Sequence, residues 1–305
     1  MKNVCGLDVH KDSIFMCIIK KNGDKVEEKF GVLTPELDRL RDLLVYHSVG
    51  DIAMESTSIY WVPIWRVLYS DFNIKIVNPY FIKQLPGRKT DVKDAQWIAT
   101  VLQKELIKGS FIPDPIIQEL RLYDRRIFYL NRNLQHAEQN IDLILQRCNI
   151  RLSNYVSDIG GKSMQKVIDS IIEGKTDPDI LLLLVHKRTR NKHGDEVIKA
   201  ALTGVISKTD CMMLKLSREE TCMYERQIEE CYVEMNSICQ TYFSQEIELL
   251  QTIPGIKKDS AMRIVAEIGV DMKAFITASA IVGWAGLKPR NDESAGKIKG
   301  RKTLH

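Results

Sequence analysis

Val4-Cys5-Gly6-Leu7-Asp8-Val9 is an apolar run with a single acid near its end, and Ser13 to Lys20 is a second run rich in β-branched residues. A polar turn, His10-Lys11-Asp12, separates them, so the two read as the first strands of a sheet. Val26 to Val32 supplies a third strand. Thr34-Pro35-Glu36 then opens a helix, with Thr34 placed to cap it, Pro35 suited to its first turn, and Leu37, Leu40, Leu43 and Leu44 following. Asp51 to Met54 and Ile74 to Val77 are short buried strands. One helix is expected from about Tyr60 to Tyr69, and another, capped by Thr90 or Asp91, runs to about Ile107. Hairpin strands followed by alternating helix and strand specify a mixed sheet with helices on its faces, an α/β domain over residues 1–110.

Beyond it the period changes. Leu120, Tyr123, Ile127, Leu130, Leu134, Ala137, Ile141, Ile144 and Cys148 recur at 3–4 spacing, the seam of an α-helical coiled coil. Tyr224, Ile228, Cys231, Met235, Ile238 and Tyr242 repeat the pattern, and the two stretches can pair with each other or with a second subunit. Residues 111–248 are therefore a helical middle region. It carries an insert with turns at Gly160-Gly161 and Lys175-Thr176-Asp177-Pro178 and a basic run, Lys187-Arg188-Thr189-Arg190-Asn191-Lys192. A solvated loop accounts for that run, with nucleic-acid contact as the other reading. Residues 249–305 form a small, mostly α domain. There Ile253-Pro254-Gly255-Ile256 precedes a helix from about Lys258 to Ile268, as in a helix-hairpin-helix element that offers backbone N–H groups to a phosphate. A further helix, about Ala278 to Ala285, leads to a basic, glycine-containing segment.

With 44% hydrophobic and 28% charged residues the chain has the composition of an ordinary globular protein. No apolar run approaches the ~18 residues of a membrane span, and Met1-Lys2-Asn3-Val4-Cys5-Gly6 lacks a signal-peptide layout. The expected location is the cytoplasm, with nucleoid association. Seven cysteines, an odd number with no C-x-x-C pair, signal neither a disulfide framework nor a zinc site and read as reduced core residues. Net charge is only +4, but from Leu287 onward six Lys or Arg face two acids, an equal excess in a short segment. That local charge suits a phosphate backbone, a solvated tail being the bland alternative. Lys288, Arg290, Lys297, Lys299, Arg301 and Lys302 are thus candidate nucleic-acid contacts, with Arg88 and Lys89 beside the acids discussed next.

Asp8 sits in an apolar strand, where an ionised carboxylate is costly without a cation or hydrogen bonds. Glu55 repeats the situation after Ile52-Ala53-Met54. Asp91 and Asp94, three apart at a helix start, share one face. Each has an ordinary role open to it: Asp91 as a cap, Asp94 as a partner for Lys93, Asp8 bonding to the following turn. Together they form a set of hard oxygen ligands suited to Mg²⁺ or Mn²⁺, which can act on a phosphate.

The order of motifs carries a resemblance. Gly6-Leu7-Asp8-Val9-His10-Lys11, then Glu55-Ser56-Thr57-Ser58-Ile59-Tyr60, Asn78-Pro79 and Lys89-Thr90-Asp91-Val92-Lys93-Asp94-Ala95 closely resemble the DEDD transposases of the one-ten family of insertion sequences, which includes the Piv-type DNA invertases. Ile253-Pro254-Gly255-Ile256, Ala285-Gly286-Leu287-Lys288-Pro289 and Glu293-Ser294-Ala295-Gly296-Lys297 are similar to that family's second conserved domain. The resemblance implies a RuvC-like, ribonuclease-H-type fold for residues 1–110, with Asp8, Glu55, Asp91 and Asp94 as metal ligands and Mg²⁺ as cofactor. It places Ser294 at the catalytic serine, which attacks a DNA phosphodiester and becomes linked to its 5′ phosphate. It further implies donor and target DNA duplexes and a structured guide RNA encoded by the element as partners, in a homo-oligomeric dimer or tetramer. Relatives continue past the segment matching Arg301 to His305, so a truncated C-terminal domain is expected. The competing reading is a RuvC-like structure-selective endonuclease using metal-activated water. A non-catalytic scaffold comes third. A ribonuclease fits least, because a helix-hairpin-helix-like element suits duplex DNA.

Overall fold

The computed structural model describes residues 2–78, 92–107, 109–110, 112–288, 292–294 and 297–300. They divide into two compact units, Met1–Ile112 and Pro113–His305.

The first unit is built on a five-stranded sheet of order β3-β2-β1-β4-β5: β1 (Asn3–Val9), β2 (Ile14–Ile19), β3 (Lys25–Phe30), β4 (Val49–Glu55) and β5 (Asn73–Val77). β1, β2 and β3 pair antiparallel, while β4 joins β1 and β5 joins β4 in parallel. The mixed sheet expected from the sequence is present. Alternation along β1 sorts its side chains onto two faces. Cys5, Leu7 and Val9 point to a core shared with Leu37, Leu40 and Leu44 of α1 (Thr34–Tyr46) and Ile64, Trp65 and Leu68 of α2 (Trp61–Leu68). Val4 points the other way, to a second core under α3 (Val92–Gln103) with Ala53, Val77, Ala95, Ile98 and Ala99.

Two expectations at helix ends need correction. Thr34 does not cap α1: the cap position is Leu33, with no side-chain hydrogen bond, and Thr34 is already inside the helix ahead of Pro35. The helix expected to reach Ile107 stops at Gln103, because Glu105 turns to φ 55°, outside helical space.

The second unit is helical. α4 (Pro115–Arg147) and α9 (Lys208–Tyr242) are 33 and 35 residues long, about 50 Å each. They run antiparallel within one chain. Arg147 pairs with Asp210 at one end, Arg126 Nη2 donates to Gln227 Oε1 at 2.9 Å, and Leu120 shares a core with Met235 and Cys239 at the other. Of the expected stripe, Leu120, Ile127, Leu130, Ala137, Ile141 and Cys148 are buried, Tyr123, Leu134 and Ile144 are half-buried, and Leu145 joins the buried set beside Ile144. A straight helix drifts about 20° per heptad against a 3.5-residue repeat, which accounts for that addition. On α9 the stripe begins earlier than expected, at Leu214, Ser217 and Thr221, and Tyr242 is exposed.

Two cores flank the hairpin. Toward its tip, Ile141, Leu145 and Leu214 pack with α5 (Lys162–Ile172), α6 (Pro178–Leu184) and α8 (Asp195–Leu202). The basic run expected as a loop is instead a helix, α7 (Lys187–His193). At the base, α10 (Ser244–Gln251) and α11 (Lys258–Ile268) form a second helical pair, joined through Gly255 at φ 92°. Arg121 of α4 reaches the last carbonyls of α11: Nε donates to Ala266 O at 3.0 Å and Nη2 to Glu267 O. Trp284 of α12 (Ala278–Trp284) stacks on that guanidinium at 5.3 Å and donates from Nε1 to Glu267 O at 3.2 Å. A short hairpin follows, β6 (Asp292–Ser294) and β7 (Lys297–Gly300), an addition to the mostly α domain that was expected.

All seven cysteines are free, four of them buried. Burial, and then the neighbouring Glu27 carboxylate, push the Cys17 thiol up to about 12, as suits an inert core residue. Among the described residues no helix is long and apolar enough to cross a membrane.

Candidate functional site

Gly6 decides how the acids of the first unit are arranged. A Cβ there would sit inside contact distance of the Ala95 carbonyl oxygen and the Ala99 nitrogen, so only glycine lets α3 lie directly on β1. Farther along, Leu102 and Gln103 of α3 line a recess with Lys2 and Val4. The helix therefore runs back along β1, with its N-terminal end toward the carboxyl end of the strand. Asp94 lies in that first turn.

Period 2 then puts Asp8 on the same face as Gly6 and Val4, the α3 face. Glu55 shares the face of Ala53 by the same rule. β1 and β4 are parallel and in register at Leu7 and Met54, so Asp8 and Glu55, each one residue further on, reach the same edge of the sheet. Asp8, Glu55 and Asp94 are only 4%, 8% and 7% exposed. Three carboxylates are thus buried at the carboxyl ends of adjacent strands and at a helix start, the crevice where open α/β sheets bind ligands. The dipole of α3 favours negative charge there.

This donor set suits a hard divalent cation in chemistry, since carboxylates removed from water need positive charge or hydrogen bonds. Among the described residues no three His, Cys, Asp or Glu side chains are drawn together as a complete metal cluster. Asp91, the fourth acid of the set, lies outside the described residues. His10 is the residue that sequence reasoning did not assign: its Nε2 stands 3.1 Å from Asp8 Oδ2, with the ring edge-on to Phe15. The signal was its position two residues beyond Asp8, which returns it to the same side of the chain.

In the second unit, Ser294 ends β6 and pairs in register with Lys297 of β7, which also contains Lys299. Lys288 is exposed, with Nζ 3.4 Å from Ser279 Oγ. Arg88, Lys89, Arg290, Arg301 and Lys302 lie outside the described residues.

Residues 5–150 match a family model described as Transposase, for the DEDD transposases of IS110, and residues 247–305 match one described as Transposase IS116/IS110/IS902 family. No curated protein matches the chain. The acid-edged sheet and the helical second unit are thus those of a transposase, an enzyme that cleaves and transfers DNA strands. The chain belongs to the IS110 family of DEDD transposases.

Proposed function

We propose that this transposase cuts and rejoins DNA through a covalent link to Ser294, assisted at Asp8, Glu55, Asp91 and Asp94 by a divalent cation, Mg²⁺ or Mn²⁺. The first unit is read as a RuvC-like domain. The observation that carries this is the burial of Asp8, Glu55 and Asp94 at one edge of the sheet, against the dipole of α3. When bound, the cation supplies positive charge for phosphate oxygens and lowers the cost of a serine alkoxide. The carboxylates hold it, and His10 fixes the orientation of Asp8 through the 3.1 Å contact.

In the proposed step the Ser294 hydroxyl loses its proton and its oxygen bonds to phosphorus. The bond from phosphorus to the 3′ oxygen breaks, leaving a 3′ hydroxyl and a 5′ phosphate ester on the serine. Rejoining reverses these steps with a different 3′ hydroxyl, so one phosphodiester is exchanged for another and no external energy source is needed. The reading requires the serine segment and the acid edge to meet, within a chain or between chains of a homo-oligomer, dimer or tetramer. Guidance by a structured RNA of the element completes the proposal, with the protein reading backbone shape and base pairing reading sequence.

Trapping protein on DNA labelled at the 5′ phosphate of the cut tests it. Wild type forms a denaturant-stable adduct and Ser294→Ala forms none. An adduct that persists in Ser294→Ala, or cleavage that persists without any adduct, excludes the serine and favours metal-activated water. Sequencing RNA that copurifies from the native host tests guidance separately.

A further inference from the structure

Helix α7 has no role in the chemistry above, and its composition is unusual for a helix. Lys187-Arg188-Thr189-Arg190-Asn191-Lys192-His193 contains four Lys or Arg, no acid and no buried residue. A helix that is polar all round gains nothing from packing an apolar face, so its place in the fold is set by other contacts. Those contacts lie on one side. Thr189, Arg190 and His193 are half-buried, Arg190 Nε donates to Asp195 Oδ1 at 2.8 Å, and the His193 ring meets Tyr155 edge-on at 5.2 Å.

Lys187, Arg188, Asn191 and Lys192 are all exposed, and at 100° per residue they fall on the opposite side as one continuous face. Arg188 and Lys192 are four apart, a like-charge pair that weakens a helix by a few tenths of a kcal/mol. The side chains of Lys187, Arg188 and Lys192 make no ion pair within the described residues. A rigid helix that holds three cations and an amide outward, without relief from carboxylates, is matched to an anionic surface with repeating charge. Double-stranded DNA, with one phosphate per ~1.7 Å of axis, is such a surface, and a transposase holds DNA.

We propose that the Lys187–Arg188–Asn191–Lys192 face of α7 is a docking site for the phosphate backbone of duplex DNA. Within the second unit it lies toward the tip of the α4–α9 hairpin, where His193 meets Tyr155 beside the core of Ile141, Leu145 and Leu214. The contact is sequence-independent and adds affinity through counterion release.

The test is the salt dependence of duplex-DNA binding by the full chain, read by fluorescence anisotropy, for wild type and for Lys187→Ala, Arg188→Ala and Lys192→Ala combined. Loss of three phosphate contacts lowers the slope of log K against log salt by between about 2 and 3. Circular dichroism and the unfolding midpoint stay near wild type, since no substituted side chain is buried. If the triple variant fails to fold, Arg188→Gln alone lowers the slope by about 1. An unchanged slope in a folded variant overturns the proposal. So does a slope that falls for duplex RNA of equal length but not for duplex DNA, which would make α7 an RNA contact.

Discussion

The acid edge of the sheet and the basic helix α7 put charge to opposite uses. Asp8, Glu55 and Asp94 are carboxylates taken out of water, whereas Lys187, Arg188 and Lys192 remain in it. A carboxylate taken out of water depends on the hydrogen bonds and charges around it. Exposed charge costs little and acts at a distance, screened by salt. The two regions should therefore respond differently to neutralisation. Asp8→Asn is expected to lower DNA strand cleavage by about 10³-fold or more. In metal-free buffer the unfolding midpoint of that variant should stay near wild type, because the amide keeps the size of the side chain and can still hydrogen-bond. A variant that loses its midpoint along with its activity would break the comparison, and would make Asp8 a structural residue.

The next largest effect tests how the acid edge is positioned. Gly6→Ala places a methyl against the backbone of Ala95 and Ala99, neither of which can move without shifting α3. Overpacking against backbone is expected to cost about 3 kcal/mol. The displaced helix should carry Asp94 away from Asp8 and Glu55. Cleavage should then fall further than the fraction of unfolded protein explains. If chemical denaturation shows no loss of stability, α3 does not lie on β1 as described.

How far each region could be read from sequence follows from the range of the forces that shape it. The acid edge was legible because period 2 in Val4–Val9 and short motifs around Glu55 and Asp94 are local. Gly6 was visible as a letter, but not as the contact that sets α3, since that depends on residues nearly ninety positions away. In sequence His10 reads as part of a turn, because its contact with Asp8 requires the turn's three-dimensional path. The helical state of α7 is not legible for a plainer reason: without an apolar face it has no hydrophobic period. The apolar period of α4 is legible along its length, but which of Ile144 and Leu145 is buried is not, because a straight helix drifts against a strict heptad. Arg121 gave no signal at all, because its partners are backbone carbonyls some 145 positions away.

That arginine offers a sharper form of the comparison, a charge that is half-buried and satisfied by neutral groups. Burial holds the Arg121 guanidinium below its ordinary range, yet it stays cationic and closes the C-terminal end of α11. Arg121→Ala leaves two carbonyls without that donor and Trp284 without its stacking partner. A loss of about 2 kcal/mol is expected. Hydrogen exchange should speed up in α11 and α12 while the five-stranded sheet keeps its protection. Uniform acceleration over both units would mean that they unfold together.

The smallest effect lies at the start of α9, where a partly covered carboxylate contributes to the fold. Ser207 and Asp210 form a reciprocal cap: Ser207 Oγ accepts from Asp210 N at 3.1 Å, and Asp210 Oδ2 accepts from Ser207 N at 3.0 Å. Hydrogen bonds from Ser207, side chain before backbone, and then Arg147 lower the Asp210 carboxyl to about 2. A carboxyl depressed in the folded state stabilises it above the unfolded pKa, and that contribution is lost as pH falls through the folded value. Ser207→Ala should cost about 1 kcal/mol at neutral pH. Asp210→Asn should lower the neutral unfolding midpoint as well, and its difference from wild type should shrink as pH drops from about 4 toward 2. Because Arg147 at the end of α4 shares the same carboxylate, the two helices of the hairpin are fastened at this point by an ion pair whose arginine is exposed. High salt should weaken that fastening, while the buried acids of the sheet should be far less sensitive. A pH-independent difference between Asp210→Asn and wild type would show that the cap works through its hydrogen-bond geometry alone, with no contribution from its charge.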